Sequence, residues 1–237
     1  MIKAVLLDID NTLFSFDGYV QYSMKHGFEK YGLRLFEDWM PSVFHRINNE
    51  LWGRIEKGTL TFEELGKIRW NLVFRELGIV FDGVVFEQYF RKELFWSAIP
   101  EDGALDLVTY LSGRYILGIA SNGPYVQQVN RLKIAGIHEK FQYIFVSEKL
   151  GVSKPAKAFF QSCLEEMNRQ TGITDRKKEI IRPEEVMIIG DSMSSDMTGG
   201  IGFGMKTCFY NRKGITLPEN SGVDYVVREL KEIENIL

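Results

Sequence analysis

Hydrophobic and polar positions follow two different patterns along the chain. Residues 2–7 form a continuous apolar run that ends at Asp8, which is typical of a parallel-sheet strand buried on both faces. From about Phe14 to Trp96, apolar residues recur every three or four positions, which predicts three or four helices and no strand. Thr61-Phe-Glu-Glu64 has the pattern of a capping box and marks the start of one of these helices.

From Pro100 onward, predicted strands and helices alternate, which implies parallel βαβ units. The predicted strands are 115–120, 143–146, 186–189, 207–210 and 225–227. The predicted helices are 102–112, 124–135, 156–167, 195–202 and 230–237. The polar segment 171–183 is predicted to be an exposed loop. The chain is therefore predicted to have an α/β fold, a doubly wound parallel sheet with an inserted helical domain.

The two patterns also predict the domain organisation. Residues 1–14 and 97–237 are expected to form the core domain, and residues 15–96 an inserted α-helical cap domain. Ligands of open parallel sheets bind outside the carboxyl ends of the strands. The inserted helices leave the core from that end, so we expect them to be able to cover a site there.

Composition and charge limit the classes of binding partner that the chain is expected to have. The 237 residues are 45% hydrophobic and 26% charged, and the formal net charge of -3 gives no electrostatic signature of nucleic-acid or anionic-membrane binding. No apolar run approaches the roughly 20 residues of a membrane span, and no signal peptide is recognised. Cys163 and Cys208 are the only cysteines, so no disulfide framework is expected. A cytoplasmic protein is expected, and no pattern indicates an oligomeric state.

Four groups of polar residues lie after predicted strands or before predicted helices. They are Asp8-Ile9-Asp10-Asn11-Thr12, Ser121-Asn122-Gly123, Lys154-Pro155, and the segment from Gly190-Asp191 to Asp196. Each alone has an ordinary explanation as a helix cap, a turn or a solvated lysine. Together they supply a carboxylate nucleophile, a carboxylate for proton transfer, a hydroxyl, a cation and an acid pair for a metal. Phosphoryl transfer requires this set of groups.

In this order, DxDxT, Ser-Asn, Lys-Pro and GDxxxxD resemble the four motifs of the haloacid dehalogenase-like hydrolase superfamily, from residue 8 to residue 196. The resemblance implies a Rossmann-like core with a helical cap. It also implies that Asp8 is the nucleophile and forms an aspartyl-phosphate. Asp10 is implied to be the general acid for the leaving oxygen and later the base for water.

The resemblance assigns phosphate binding to the middle of the chain. It implies that Ser121, Lys154 and the backbone N–H of Asn122 bind the phosphoryl oxygens. Thr12 is expected to stabilise the turn after Asp10 or to hydrogen-bond near the nucleophile. The implied partner is a small phosphomonoester.

The resemblance also implies Mg²⁺ as the cofactor. Its ligands would be Asp8, the backbone carbonyl of Asp10, and Asp191, since Mg²⁺ prefers hard oxygen ligands. Asp196 is implied to hold a water beside the metal, to orient Lys154, or both.

Asp10 favours phosphate chemistry, because haloacid dehalogenases lack an acid two residues after the nucleophile. The finer similarity of LLDIDNTLFSFD and of the segment from Gly190 to Gly214 is to bacterial nucleotidases acting on pyrimidine nucleoside monophosphates. A phosphatase or mutase acting on a sugar phosphate or another small metabolite is the alternative. A non-catalytic binding module is a third hypothesis.

The cap segment itself carries no recognisable substrate motif. Most of its aromatic residues at helical spacing are predicted to be core residues: Phe16, Tyr19, Tyr22, Phe44, Trp52, Trp70 and Phe74. Three arginines, Arg46, Arg54 and Arg69, are predicted to lie on solvated faces, with substrate contact as the alternative.

Overall fold

The computed structural model describes residues 1–174 and 180–237, with residues 170–174 described by their backbone alone. The described chain forms two compact units, one made of Met1–Ser15 and Pro100–Leu237 and the other of Phe16–Ile99. These limits lie one residue after the first predicted domain boundary and three residues after the second. The domain boundaries stay a prediction.

The unit Phe16–Ile99, which we call the helical unit, contains four helices and no strand among its residues, all of which the structure describes. They are α1 (Phe16–Lys30), α2 (Met40–Glu56), α3 (Phe62–Leu77) and α4 (Gly83–Phe95). The capping box predicted at Thr61 is confirmed, because its side chain accepts from Glu64 N–H and Glu64 bonds back to Thr61 N–H.

The core of the helical unit is rich in aromatic side chains, as the periodicity predicted. Tyr19, Phe44, Trp70 and Phe74 are buried in it, and Phe16 and Trp52 pack against it. Tyr22 is the exception, since it is about half exposed. Burial of apolar area of this kind is the main favourable term in folding a helical unit.

The first unit contains a parallel sheet, and its strands agree with the predicted ones to within two residues. Within the described residues they are β1 (Ala4–Leu7), β2 (Ile116–Ser121), β3 (Tyr143–Val146), β4 (Val186–Gly190), β5 (Lys206–Tyr210) and β6 (Tyr225–Val227). Their order is β3-β2-β1-β4-β5-β6. The predicted parallel α/β architecture is therefore present.

β1 lies inside the sheet between β2 and β4. All four of its side chains are fully buried. Side chains along a strand alternate between the two faces, so both faces of the sheet are covered at β1. Beyond β1 the chain adds β2 and β3 on one side and β4 to β6 on the other. The direction in which strands are added therefore reverses beside β1. Such a reversal is the topological switch point at which open α/β sheets bind ligands.

Helices and short turns connect these strands. They are α5 (Ala104–Leu111), α6 (Tyr125–Ile134), α7 (Ser147–Leu150), α8 (Lys157–Thr174) and α9 (Thr198–Phe203). Among the described residues, none of the helices combines the length and apolar character that a membrane span needs. Both cysteines are buried free thiols.

Three predicted elements differ from the structure. α8 continues to Thr174 rather than Met167, so the loop predicted at 171–183 is wrong at its start. A helix can continue beyond its last apolar-periodic residue, because its backbone hydrogen bonds are internal. Pro183, the last residue of the predicted loop, begins a 3₁₀ helix, Pro183–Glu185. Residues 175–179 of the predicted loop lie outside the described residues.

The other two differences concern helix type. The helix predicted at 195–202 is a π-helical turn, Met193–Met197, followed by α9. The predicted final helix is a 3₁₀ helix, Leu230–Asn235. Apolar periodicity does not distinguish these windings from an α-helix over such short lengths.

Candidate active site

The site is built around the loop that follows β1. The Asp8 N–H donates to the Ile189 carbonyl at 3.0 Å, which holds the start of the loop against β4. Asn11 adopts a left-handed backbone conformation with φ of 63°, which Asn tolerates better than most residues. Asn11 N–H then donates to the Phe14 carbonyl at 2.7 Å. The chain therefore turns out of the extended conformation directly after the two carboxylates.

Lys154 is the buried cation of the site, with 1% of its surface exposed. Its Nζ donates to Asp8 Oδ1 at 2.7 Å, to Asp196 Oδ1 at 2.6 Å and to the Ala120 carbonyl at 2.6 Å. An ammonium group has three donors, so these bonds use all of them. The lysine thus connects the nucleophile candidate with the acid in the π-helical turn.

The side chain of Asn122 fixes the loop that carries Lys154. Its Nδ2 donates to the Lys154 carbonyl at 2.9 Å, and its Oδ1 accepts from Lys154 N–H at 2.9 Å. This reciprocal pair joins the end of β2 to the lysine loop. The sequence assigned a role only to the backbone N–H of Asn122, and that role stays a prediction.

Three carboxylates lie together beside the lysine. Asp8, Asp191 and Asp196 each offer an oxygen within 4.8 Å of the others. Asp196 is fully buried, and its Oδ2 accepts from Ser192 N–H at 3.1 Å. Thr12 Oγ1 accepts from Asp191 N–H at 3.1 Å, so Thr12 joins the loops after β1 and β4.

Burial and mutual repulsion raise the pKa values of two carboxyl groups in this cluster. Burial raises the pKa of Asp8 to about 7, since Lys154 offsets only part of this effect and Asp196 adds to it. Burial, with Asp8 and Asp196 nearby, also raises the pKa of Asp191 well above its ordinary value. Burial would lower the pKa of Lys154, but Asp196 and Asp8 together raise it.

The carboxylate of Asp10 lies in a second group of contacts. Its Oδ1 accepts from Arg131 at 2.6 Å, and its Oδ2 accepts from Gln128 Nε2 at 2.9 Å. The same Gln128 nitrogen donates to Ser121 Oγ at 2.9 Å. Two predicted site residues, Asp10 and Ser121, therefore share one partner.

Gln128 and Arg131 were not found by sequence reasoning. They lie three residues apart on α6, so they share one face of that helix. The signal that could have found them is their position on the helix that directly follows Ser121-Asn122-Gly123. Polar residues at this spacing are also common on solvated helix faces, and this ambiguity hid them.

The predicted site residues therefore form two groups in the structure. Asp8, Lys154, Asp191 and Asp196 lie in one, with Thr12 and Asn122 holding its loops. Asp10 and Ser121 lie in the other. Both groups follow strands that are neighbours in the sheet, so they can act on one ligand.

Comparison with known proteins shows the family to which the chain belongs. A family model for haloacid dehalogenase-like hydrolases matches residues 2–204. The HAD-hydrolase YfnB of Bacillus subtilis is 31% identical over 99% of this chain and 95% of that protein. A crystal structure of YfnB bound to magnesium superposes with a TM-score of 0.86 and 30% identity, covering 100% of this chain and 98% of that one.

Other relatives carry two kinds of named activity. The pyrimidine 5'-nucleotidase YjjG of Escherichia coli is 29% identical over 98% of this chain and 96% of that protein. The glyceraldehyde 3-phosphate phosphatase of Pyrococcus furiosus is 23% identical over 100% of this chain and 93% of that protein.

The chain belongs to the haloacid dehalogenase-like hydrolase family. The resemblance drawn from the four motifs and the predicted α/β fold class are both confirmed.

Proposed function

We propose that this protein hydrolyses small phosphomonoesters through an aspartyl-phosphate on Asp8, and that its substrates are nucleoside 5'-monophosphates. The observation that carries the proposal is the ion pair of Asp8 with buried Lys154, with a second carboxylate two residues later on the same loop. The activity of YjjG supports the nucleotide part of the proposal.

The first step transfers the phosphoryl group to the protein. An oxygen of Asp8 forms a bond to phosphorus while the bond from phosphorus to the leaving ester oxygen breaks. Asp10 gives a proton to that oxygen, so the product leaves as a neutral alcohol. Ser121 donates to a phosphoryl oxygen, and Lys154 does so by exchanging its bond to Asp8 for one to the phosphoryl group, so both offset the charge that gathers there.

The second step releases phosphate. Asp10, now ionised, takes a proton from a water molecule as the water oxygen bonds to phosphorus. The bond between phosphorus and Asp8 breaks, which frees inorganic phosphate and restores the Asp8 carboxylate. Asp10 ends the cycle protonated, ready for the next leaving group.

The donor set of the site fits Mg²⁺. Lys154 offsets one of the three negative charges on Asp8, Asp191 and Asp196, and a divalent cation neutralises the remaining two. Asp8, Asp191 and the backbone carbonyl of Asp10 would hold the ion, while Asp196 orients Lys154. The bound cation would supply charge neutralisation for the phosphoryl group and orient it.

A sugar phosphate is the second candidate substrate. The match to a glyceraldehyde 3-phosphate phosphatase over the whole chain favours it. The two candidates use the same core chemistry and differ only in the group attached to the phosphate.

A substrate panel tests the proposal. Phosphate release is measured from pyrimidine and purine nucleoside 5'-monophosphates, from glyceraldehyde 3-phosphate and from hexose phosphates, with Mg²⁺ or with EDTA. We expect the highest kcat/KM with a pyrimidine nucleotide, and a loss of activity in EDTA that added Mg²⁺ restores. Asp8→Asn removes the nucleophile, so its rate is expected to fall to background.

The matched control is Asp106→Asn, because Asp106 is an exposed carboxylate in the first turn of α5. It should keep the activity of the unmodified protein. A sharp preference for a sugar phosphate over every nucleotide would favour the second candidate. Metal-independent turnover by Asp8→Asn would contradict the mechanism.

A further inference from the structure

Two buried side chains of α6 join the groups that the proposed reaction uses separately. Gln128 is fully buried and Arg131 is 1% exposed. Gln128 Nε2 donates at 2.9 Å both to Asp10 Oδ2 and to Ser121 Oγ, while Arg131 donates to Asp10 Oδ1 at 2.6 Å. No step of the proposed mechanism uses either of these α6 residues.

The orientation of the Gln128 amide follows from its partners. Arg131 also donates to Gln128 Oε1 at 2.9 Å. A guanidinium has no acceptor, so the amide oxygen has to face Arg131. Both amide hydrogens are then directed to Asp10 and Ser121. The guanidinium itself lies 5.1 Å from the centroid of the Phe14 ring, which helps to fix its plane.

We propose that Gln128 and Arg131 are positioning residues that hold the acid–base carboxylate of Asp10 and the phosphate-binding hydroxyl of Ser121 in one fixed arrangement. The inference rests on the proposed phosphatase function and adds two residues to it. Arg131 orients Gln128 and donates to one oxygen of Asp10. Gln128 donates to the other oxygen of Asp10 and also to the hydroxyl of Ser121.

This arrangement also directs the Ser121 proton. The hydroxyl oxygen accepts a hydrogen from Gln128, so its own hydrogen points elsewhere and can be donated to a phosphoryl oxygen. Loss of the Gln128 amide therefore affects two stages of the reaction. It loosens the phosphate-binding hydroxyl and it displaces the carboxylate that protonates the leaving oxygen.

The test compares two substrates that differ in how much they need an acid. The ribose 5'-oxygen of a nucleoside monophosphate is a poor leaving group and needs a proton, whereas p-nitrophenolate leaves readily without one. Gln128→Met keeps a side chain of similar length and removes the amide. We expect its kcat on the nucleotide to fall at least about tenfold, and its kcat on p-nitrophenyl phosphate to fall several-fold less.

A second variant keeps the test valid if Gln128→Met does not fold. Arg131→Lys retains a positive charge, but its shorter side chain does not place a nitrogen where Nη1 donates to both Asp10 and Gln128. It is expected to show the same selective loss on the nucleotide. Gln127→Met is the matched control, because Gln127 is the neighbouring buried glutamine of α6, while the side chains of Asp10 and Ser121 bond Gln128 and Arg131 instead. It should leave the ratio of the two rates unchanged.

A double-mutant cycle shows whether Gln128 acts through Asp10. In an Asp10→Asn background the leaving group has already lost its acid, so adding Gln128→Met should not change the rate ratio further. An equal loss on both substrates in Gln128→Met and Arg131→Lys would overturn the inference while leaving the phosphatase function in place. If the unmodified protein is inactive on both substrates, the function and the inference are overturned together.

Discussion

At the scale of single residues, two buried cations in separate units have different surroundings. Lys154 contacts two carboxylates in a cluster that has more negative charge than the lysine offsets. Arg69 of the helical unit instead has a matched partner, since its Nε and Nη2 bind the two oxygens of Glu87 at 3.1 and 2.7 Å. Only the first arrangement leaves charge for a metal to neutralise, so only the first suggests chemistry.

The solvated position predicted for Arg69 is wrong. Arg69 is 4% exposed, and its guanidinium also donates to Asn48 at 2.9 Å. Its central carbon lies 5.3 Å from the centroid of the Phe44 ring and 4.8 Å from that of Phe90. An arginine on an amphipathic helix is normally assigned to the solvated face. The apolar periodicity of one helix does not show that a buried acid on another helix, here Glu87, pairs with that arginine.

Removal of the charge on Glu87 should strongly destabilise the helical unit. Glu87→Gln leaves Arg69 buried without its counter-charge and weakens the bond from Arg91 to Glu87. Breaking one partner of a buried pair costs about 3–5 kcal/mol in the free energy of unfolding. Urea denaturation followed by circular dichroism measures this loss.

The control uses an exposed ion pair in the same unit. Glu76→Gln removes the partner of Arg46 on the surface, where water replaces the interaction, so little change is expected. Equal losses in the free energy of unfolding for the two substitutions would show that the buried pair contributes no more to stability than the exposed pair.

The catalytic candidates could be predicted because phosphoryl transfer requires these residue types and because their order along the chain resembles the four motifs of the family. Asp8, Lys154 and Asp191 stand out in the sequence for this reason. Gln128 and Arg131 were not predicted, since their position after Ser121-Asn122-Gly123 is ambiguous until it is known which loop α6 packs against. That information lies in tertiary contacts and not in local spacing.

At the scale of elements, the capped start of α3 was predicted from the sequence, whereas the type of helix at Met193–Met197 and Leu230–Asn235 was not. The Thr61–Glu64 box is a local pattern, and the structure contains it. The π-helical turn that carries Asp196 is different. Asp196 lies within this turn and bonds Lys154, and π-type turns are frequent at functional sites. The motif resemblance implied a contact between Asp196 and Lys154, 42 positions apart, but the local sequence does not show the π-helical turn that places Asp196.

The cap of α3 gives a prediction at this scale. Thr61→Ala removes the hydroxyl that accepts from Glu64 N–H at 3.1 Å, so one N-terminal donor loses its partner. The free energy of unfolding is expected to fall by about 1 kcal/mol, measured by urea denaturation. Thr61→Ser keeps the hydroxyl and should retain most of the stability. A similar loss in both variants would point to the methyl group of Thr61 rather than to the cap.

At the scale of the whole molecule, the parallel sheet brings distant segments of the chain to one site. Asp8 follows β1 and Asp191 follows β4, and these two strands are neighbours in the sheet. Ser121 ends β2 on the other side of β1. Four motifs spread over nearly 190 residues therefore meet because the strand order reverses beside β1. The alternation of strands and helices predicted this convergence, whereas the hydrogen-bond partners within the site required the structure.

The charge of the site also makes the stability of the protein depend on pH and on metal. In the metal-free protein, burial raises the pKa of Asp8 to about 7, while in the unfolded chain it keeps its ordinary lower value. The folded state therefore binds the Asp8 proton more tightly. The protonation of Asp8 therefore contributes to the free energy of unfolding. This contribution is fully present at a pH below the ordinary pKa of Asp, and it is lost as the pH rises through the raised pKa of about 7.

Mg²⁺ should reverse this loss, because it binds the ionised carboxylates of the folded protein. In EDTA the melting temperature is expected to fall between about pH 5 and about pH 8, and the increase caused by Mg²⁺ should be larger at the higher pH. Thermal denaturation followed by intrinsic fluorescence measures both trends. Asp191→Asn removes one of the repelling acids, so it should flatten the pH dependence in EDTA and reduce the Mg²⁺ effect. A Mg²⁺ effect of equal size at both pH values would show that the ion does not act on this buried cluster.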